Sequence, residues 1–76
     1  MSHIQAVLLS KDYFSLREAN KWIKEHKYRP IKKVHSTINF YRYRLKEPND
    51  KYDYRIKILS RGIKAVIGFY PSDYYR

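Results

Sequence analysis

The chain has 76 residues, no cysteine, and a formal net charge of +10 from 17 Lys and Arg against 7 Asp and Glu. This length gives a single small domain, 1–76, with one thin core, and the lack of cysteine excludes disulfide staples and thiolate metal sites and points to a reducing compartment. No run of about 18 apolar residues is present to span a membrane as a helix, while the excess of cations attracts polyanions.

Ile4 to Leu9, IQAVLL, is almost continuously apolar and too short for a stable helix. It reads as a strand buried on both faces. No basic region precedes it, so it does not read as a secretion signal.

Ser15 to Glu18, SLRE, is a capping box, in which Ser15 and Glu18 each satisfy the other's free backbone N–H. It predicts a helix running to about Lys27. Leu16, Ala19, Ile23 and His26, with Trp22 beside them, make one apolar stripe. Arg17, Lys21 and Lys24 fall opposite as a cationic ridge. His26 sits at the edge of the stripe and reads as structural, and Pro30 forbids continuation of the helix.

Val34, Ile38 and Phe40 share one parity, whereas Tyr41, Tyr43 and Leu45 share the other. One straight strand cannot hide both sets, so a turn or bulge is expected near Ser36 to Asn39. A strand follows from Phe40 to Lys46. Lys51 to Leu59 alternates, with Tyr52, Tyr54, Ile56 and Ile58 against Asp53, Arg55 and Lys57. The link before it, Glu47-Pro48-Asn49-Asp50, has hairpin composition. A second hairpin through Arg61-Gly62 leads to a last strand, in which Ile63, Ala65, Ile67 and Phe69 share a face. The tail 71–76 is short and aromatic, and Tyr74 and Tyr75 are expected either to dock on the domain or to be flexible.

The expected fold is therefore α+β. One helix packs on one face of a mainly antiparallel sheet, in the order β-α-β-β-β, with the last three strands as a meander. Tyr41, Tyr43 and the Tyr54, Ile56, Ile58 set should face the helix. The opposite face should collect Arg42, Arg44, Arg55, Lys57 and Lys64, with Phe40 and Tyr70 beside them.

Cations next to exposed aromatics suit a nucleic-acid strand, because phosphates meet Arg and Lys while bases stack. The ridge of Arg17, Lys21 and Lys24 would suit duplex phosphates. Lys and Arg on outward strand positions also protect a sheet from aggregation, which needs no partner. For catalysis the chain offers little. His3, His26 and His35 lack zinc-ligand spacing, no serine has nucleophile-elbow context, and no glycine-rich phosphate loop occurs. Asp50 and Asp53 alone make a poor metal site. No enzyme, cofactor or metal is expected.

SLREANKWIKEH, NFYRYR and GIKAVIGF together resemble a small domain found in proteins of tailed phages and large DNA viruses. There, a strand and a Ser/Thr-capped helix bearing Trp precede an aromatic-Arg-aromatic-Arg strand, and a Gly-Ile-Lys strand closes the unit. The likeness extends from about Ile4 to Tyr70. Phage versions usually carry Gln after the second arginine, where Leu45 stands here. The resemblance implies a viral, non-enzymatic accessory domain in the host cytoplasm or the virion, not secreted. Two functions are thus expected. One is nucleic-acid binding, to DNA or RNA. The alternative is a virion structural or protein-interaction module that binds an acidic host protein or pairs as a homodimer through a free strand edge.

Overall fold

The computed structural model describes residues 2–69. It contains β1 (Ser2–Ser10), α1 (Leu16–Glu25), β2 (His35–Ser36), β3 (Phe40–Arg44), β4 (Asp53–Ser60) and β5 (Ile63–Phe69). The strands form one antiparallel sheet of five in the order β2-β3-β1-β5-β4. The fold is α+β, as the sequence implied, with the short β2 added by a hairpin into β3. No helix among the described residues is long and apolar enough to cross a membrane.

The apolar run IQAVLL lies in β1, the central strand. Gln5, Ala6, Val7, Leu9 and Ser10 are all buried. This central place explains a departure from the expected meander. β3 and β4 do not form a hairpin, because β1 and β5 lie between them. A strand with little access to water needs partners for its backbone groups along both edges. The link from Leu45 to Tyr52 therefore crosses the end of the sheet. It is anchored where the N–H groups of Leu45 and Lys46 both donate to the Gln5 carbonyl, at 2.8 and 3.1 Å. Asn49 shapes its far end. Its Oδ1 accepts from the Lys51 N–H at 2.9 Å, and its N–H donates to the Tyr54 hydroxyl at 2.7 Å.

The other local expectations hold. Ser15 Oγ accepts from the Glu18 N–H at 3.2 Å, and Glu18 Oε1 accepts from the Ser15 N–H at 3.0 Å. The turn before β3 is closed by Thr37, whose N–H and hydroxyl both reach the Phe40 carbonyl. The β4–β5 turn places Gly62 at φ +76°, where a side chain would be strained and would also meet the Tyr13 ring.

The core lies between α1 and one face of the sheet. Ala19 and Ile23 of the helix meet Val7, Leu9, Tyr43 and Ile63, flanked by Ile4, Phe14, Trp22, Tyr41 and Leu45. Leu16, expected in this stripe, is 43% exposed and lies outside the core cluster. No β4 residue belongs to the core cluster.

Candidate nucleic-acid interface

Directly paired residues in neighbouring strands share a face, so the registers identify which side chains lie on the open side of the sheet. Val7 and Leu9 face the helix, and their partners Tyr43 and Tyr41 join them. Ala6, Leu8 and Ser10 are therefore on the open face, opposite Arg44, Arg42 and Phe40. The expected direction of NFYRYR is correct. One row across this face reads His35, Arg42, Leu8, Lys64, Ile58, and the next reads Arg44, Ala6, Val66, Ile56.

Those rows also correct the placement of two cations. Arg55 pairs with Ile67, and Lys57 with Ala65, both on the helix-side parity of β5. Arg55 and Lys57 thus lie on the opposite face from Arg42, Arg44 and Lys64. The error comes from the assumption that the apolar side of β4 must be the buried side. β4 is an edge strand that contributes nothing to the core cluster, and its register with β5 turns its apolar set to the open face. Ile56 is 65% exposed and Ile58 70%. Tyr54, Ile56 and Ile58 consequently extend the open face instead of the core.

The cations left on the open face gain neighbours that the sequence reading did not select. A small pocket of about 220 Å³ is lined by Lys32, Lys33, His35, Arg42 and Arg44. The hairpin of β2 onto β3 sets His35 beside Arg42, and a hydrogen bond from the Ile31 N–H to the Arg44 carbonyl, 2.9 Å, draws the Lys32-Lys33 segment alongside. The signal available in the sequence was the adjacent Lys pair just before the turn that precedes β3.

Gln5 sits beneath this pocket. The β1–β5 register shifts between Ile4 and Ala6, which makes Gln5 the additional residue of a bulge. Its buried amide donates from Nε2 to the Lys46 carbonyl at 2.9 Å, and its Oε1 accepts from Arg42 Nη2 at 3.4 Å. Arg42 Nε is itself buried and has no hydrogen-bond partner. Leaving such a donor unmet costs about 1–3 kcal/mol.

Negative charge is scarce nearby. Lys32 pairs with Glu47 at 3.1 Å, with both side chains more than half exposed. Among the described residues, no carboxylate lies within 4 Å of Lys33, Arg42, Arg44 or Lys64. Lys64 instead holds its ammonium 5.2 Å from the centre of the Phe40 ring, and Lys11 does the same over Tyr41 at 5.1 Å.

Arg17, Lys21 and Lys24 are exposed along α1, on the opposite side of the sheet from Arg42 and Arg44. They form a ridge separate from the pocket. Tyr70 and the tail 71–76 lie outside the described residues. His26 is structural as expected, since its Nδ1 lies 2.8 Å from the Trp22 carbonyl and its ring stacks on Trp22 at 3.8 Å. Among the described residues, no three His, Asp or Glu side chains group as a metal ion would require. No family model, curated protein or solved structure matches the chain.

Proposed function

We propose that the protein is a non-enzymatic binding module that holds nucleic acid on the open face of its sheet. The observation that carries this reading is the pocket of Lys32, Lys33, His35, Arg42 and Arg44, in which no described carboxylate lies within 4 Å of Lys33, Arg42 or Arg44. A phosphate oxygen is the acceptor a guanidinium meets best, through charge-assisted hydrogen bonds. Lys64 and Phe40 extend the pocket across the face, one for a further phosphate and one for base stacking. The likeness to phage and large-DNA-virus domains supports a viral accessory role in the host cytoplasm or the virion.

Fluorescence anisotropy with single-stranded and duplex oligonucleotides over a salt series tests this. Contacts from Lys33, Arg42, Arg44 and Lys64 give a log–log salt slope of about −3 on single strands. No binding at low salt would overturn the proposal.

A second reading rests on β4. Its outer edge is unpaired within the described sheet, and Ile56, Ile58 and Leu59 are all exposed on it. Such an edge favours pairing with another strand, from a second copy or a partner protein. Sedimentation across a concentration series separates the two readings, since a protein that stays monomeric removes the homodimer.

A further inference from the structure

A different surface, on the helix side of the sheet, has the chemistry of a small-ligand site. A cleft of about 540 Å³ opens at the C-terminal end of α1, within the size range of small-molecule pockets. Asn20, Ile23, Lys24 and Lys27 line one wall at helical spacing. Tyr43 and the Tyr28–Pro30 segment line the other. Ile23 and Tyr43 are buried and make an apolar floor. Tyr43 donates its hydroxyl proton to Asn20 Oδ1 at 2.5 Å, which leaves the Asn20 amide protons to serve as donors. Lys24, Lys27 and Arg29 form an exposed cationic rim, and no described carboxylate lies within 4 Å of any of them.

A helix C-terminus ordinarily repels anions through its free carbonyls. Here two of those carbonyls, of Ile23 and Lys24, are engaged. The Tyr28 N–H donates to the Ile23 carbonyl at 3.1 Å and the Lys27 N–H to the Lys24 carbonyl at 3.0 Å, the two bonds of a Schellman motif. The Trp22 carbonyl accepts from the His26 N–H at 3.0 Å and lies 2.8 Å from His26 Nδ1.

The residue at the left-handed position of that motif is Lys27, with φ +60°. Glycine is the usual occupant, because a Cβ is strained there. Lys27 is the only non-glycine among the described residues with positive φ. A lysine that costs stability and lies in a cationic cleft is what a ligand-binding role would maintain.

We propose that this cleft binds a flat aromatic ring bearing a phosphate, a ligand of the nucleoside monophosphate class. The ring lies along Tyr28, the phosphate meets Lys24, Lys27 and Arg29, and Asn20 donates to a polar edge of the ring. The site stands apart from the nucleic-acid reading, because Arg42 and Arg44 are on the other side of the sheet.

The test is amide NMR and calorimetry with adenosine 5′-monophosphate, adenosine and inorganic phosphate as separate probes. The monophosphate is expected to shift the amides of Lys24, Lys27 and Tyr28 and to bind about tenfold more tightly than either fragment. Lys27→Gly is expected to raise the thermal midpoint by a few degrees yet weaken binding about tenfold, and Lys24→Gln to weaken binding without changing stability. Arg42→Gln with Arg44→Gln should leave the cleft shifts intact. Absence of shifts at millimolar monophosphate, full affinity in Lys27→Gly, or loss of the shifts in the Arg42/Arg44 variant would each overturn the proposal.

Discussion

Arg42 Nη2 donates to Gln5 Oε1, so the most buried atoms of the candidate interface hang from a bulge in the central strand. The same Gln5 amide holds the Lys46 carbonyl, and the Gln5 carbonyl holds two further N–H groups. One polar residue inside an apolar run thus fixes both the crossing link and a cation. Gln5→Leu keeps the volume but leaves the Lys46 carbonyl without its amide partner. It is expected to cost about 1–3 kcal/mol in chemical denaturation and to weaken oligonucleotide binding more than that loss of stability explains, because Arg42 is no longer held. A variant with reduced stability and unchanged affinity would separate Gln5 from the interface.

The opposite placement of the two cation sets gives a second prediction. Arg42→Gln and Arg44→Gln should each reduce the magnitude of the single-strand salt slope by about 0.7. Arg55→Gln and Lys57→Gln, on the other face, should leave the slope unchanged. Equal effects from both pairs would show a diffuse electrostatic attraction with no defined face.

Much of this architecture was legible in the sequence because local chemistry dictated it. The Ser15–Glu18 box, the Thr37 turn and the Arg61-Gly62 hairpin each depend on a few adjacent residues. The direction of Arg42 and Arg44 was legible because Tyr41 and Tyr43 are large apolar rings that the helix covers. Strand order and the side of β4 were not. They depend on which strands flank β1, a long-range choice that alternation within β4 cannot report. Ile56 and Ile58 look like core residues by their period, and only the register of β4 on β5 turns them to the face away from α1. Lys32 and Lys33 were missed for the same reason, because a tertiary hydrogen bond at Ile31 brings them to the pocket.

That exposed apolar row gives a third prediction. Ile56→Lys and Ile58→Lys alter side chains that contribute little to the core, so each should change stability by no more than about 0.5 kcal/mol. If β4 pairs with a second copy, either variant should lower the sedimentation-average mass at high protein concentration. A destabilisation of several kcal/mol would instead mean that the row is covered within the monomer.

A fourth prediction concerns pH. Desolvation, with a smaller contribution from the charge on Lys46, holds the His3 imidazole below its ordinary pKa of 6.5, and the Tyr52 ring lies edge-on at 4.7 Å. The folded protein therefore takes up this proton less readily than the unfolded chain. The linked stability is fully present above pH 6.5 and is lost as pH falls from there through the lower folded value. Urea midpoints measured from about pH 8 to about pH 5.5 should fall in the wild type and fall less in His3→Gln. Parallel curves for the two proteins would remove His3 as the cause.

The row beyond His3 carries the last prediction. Gly68 lies between His3 on β1 and Tyr54 on β4, and both rings close over it. A Cβ placed there would sit 2.8 Å from His3 Cε1 and 2.9 Å from Tyr54 Cε1. Gly68→Ala must displace a ring at each side and is expected to cost about 1–3 kcal/mol. The cost arises from contact with the rings and not from backbone conformation, since Gly62 is the one glycine with positive φ. Removing a ring should therefore relieve it. Gly68→Ala in a His3→Ala background should cost measurably less than in the wild type, a coupling that a double-mutant cycle reads directly. An unchanged cost in that background would place the strain in the strand itself and not in the two rings that cover it.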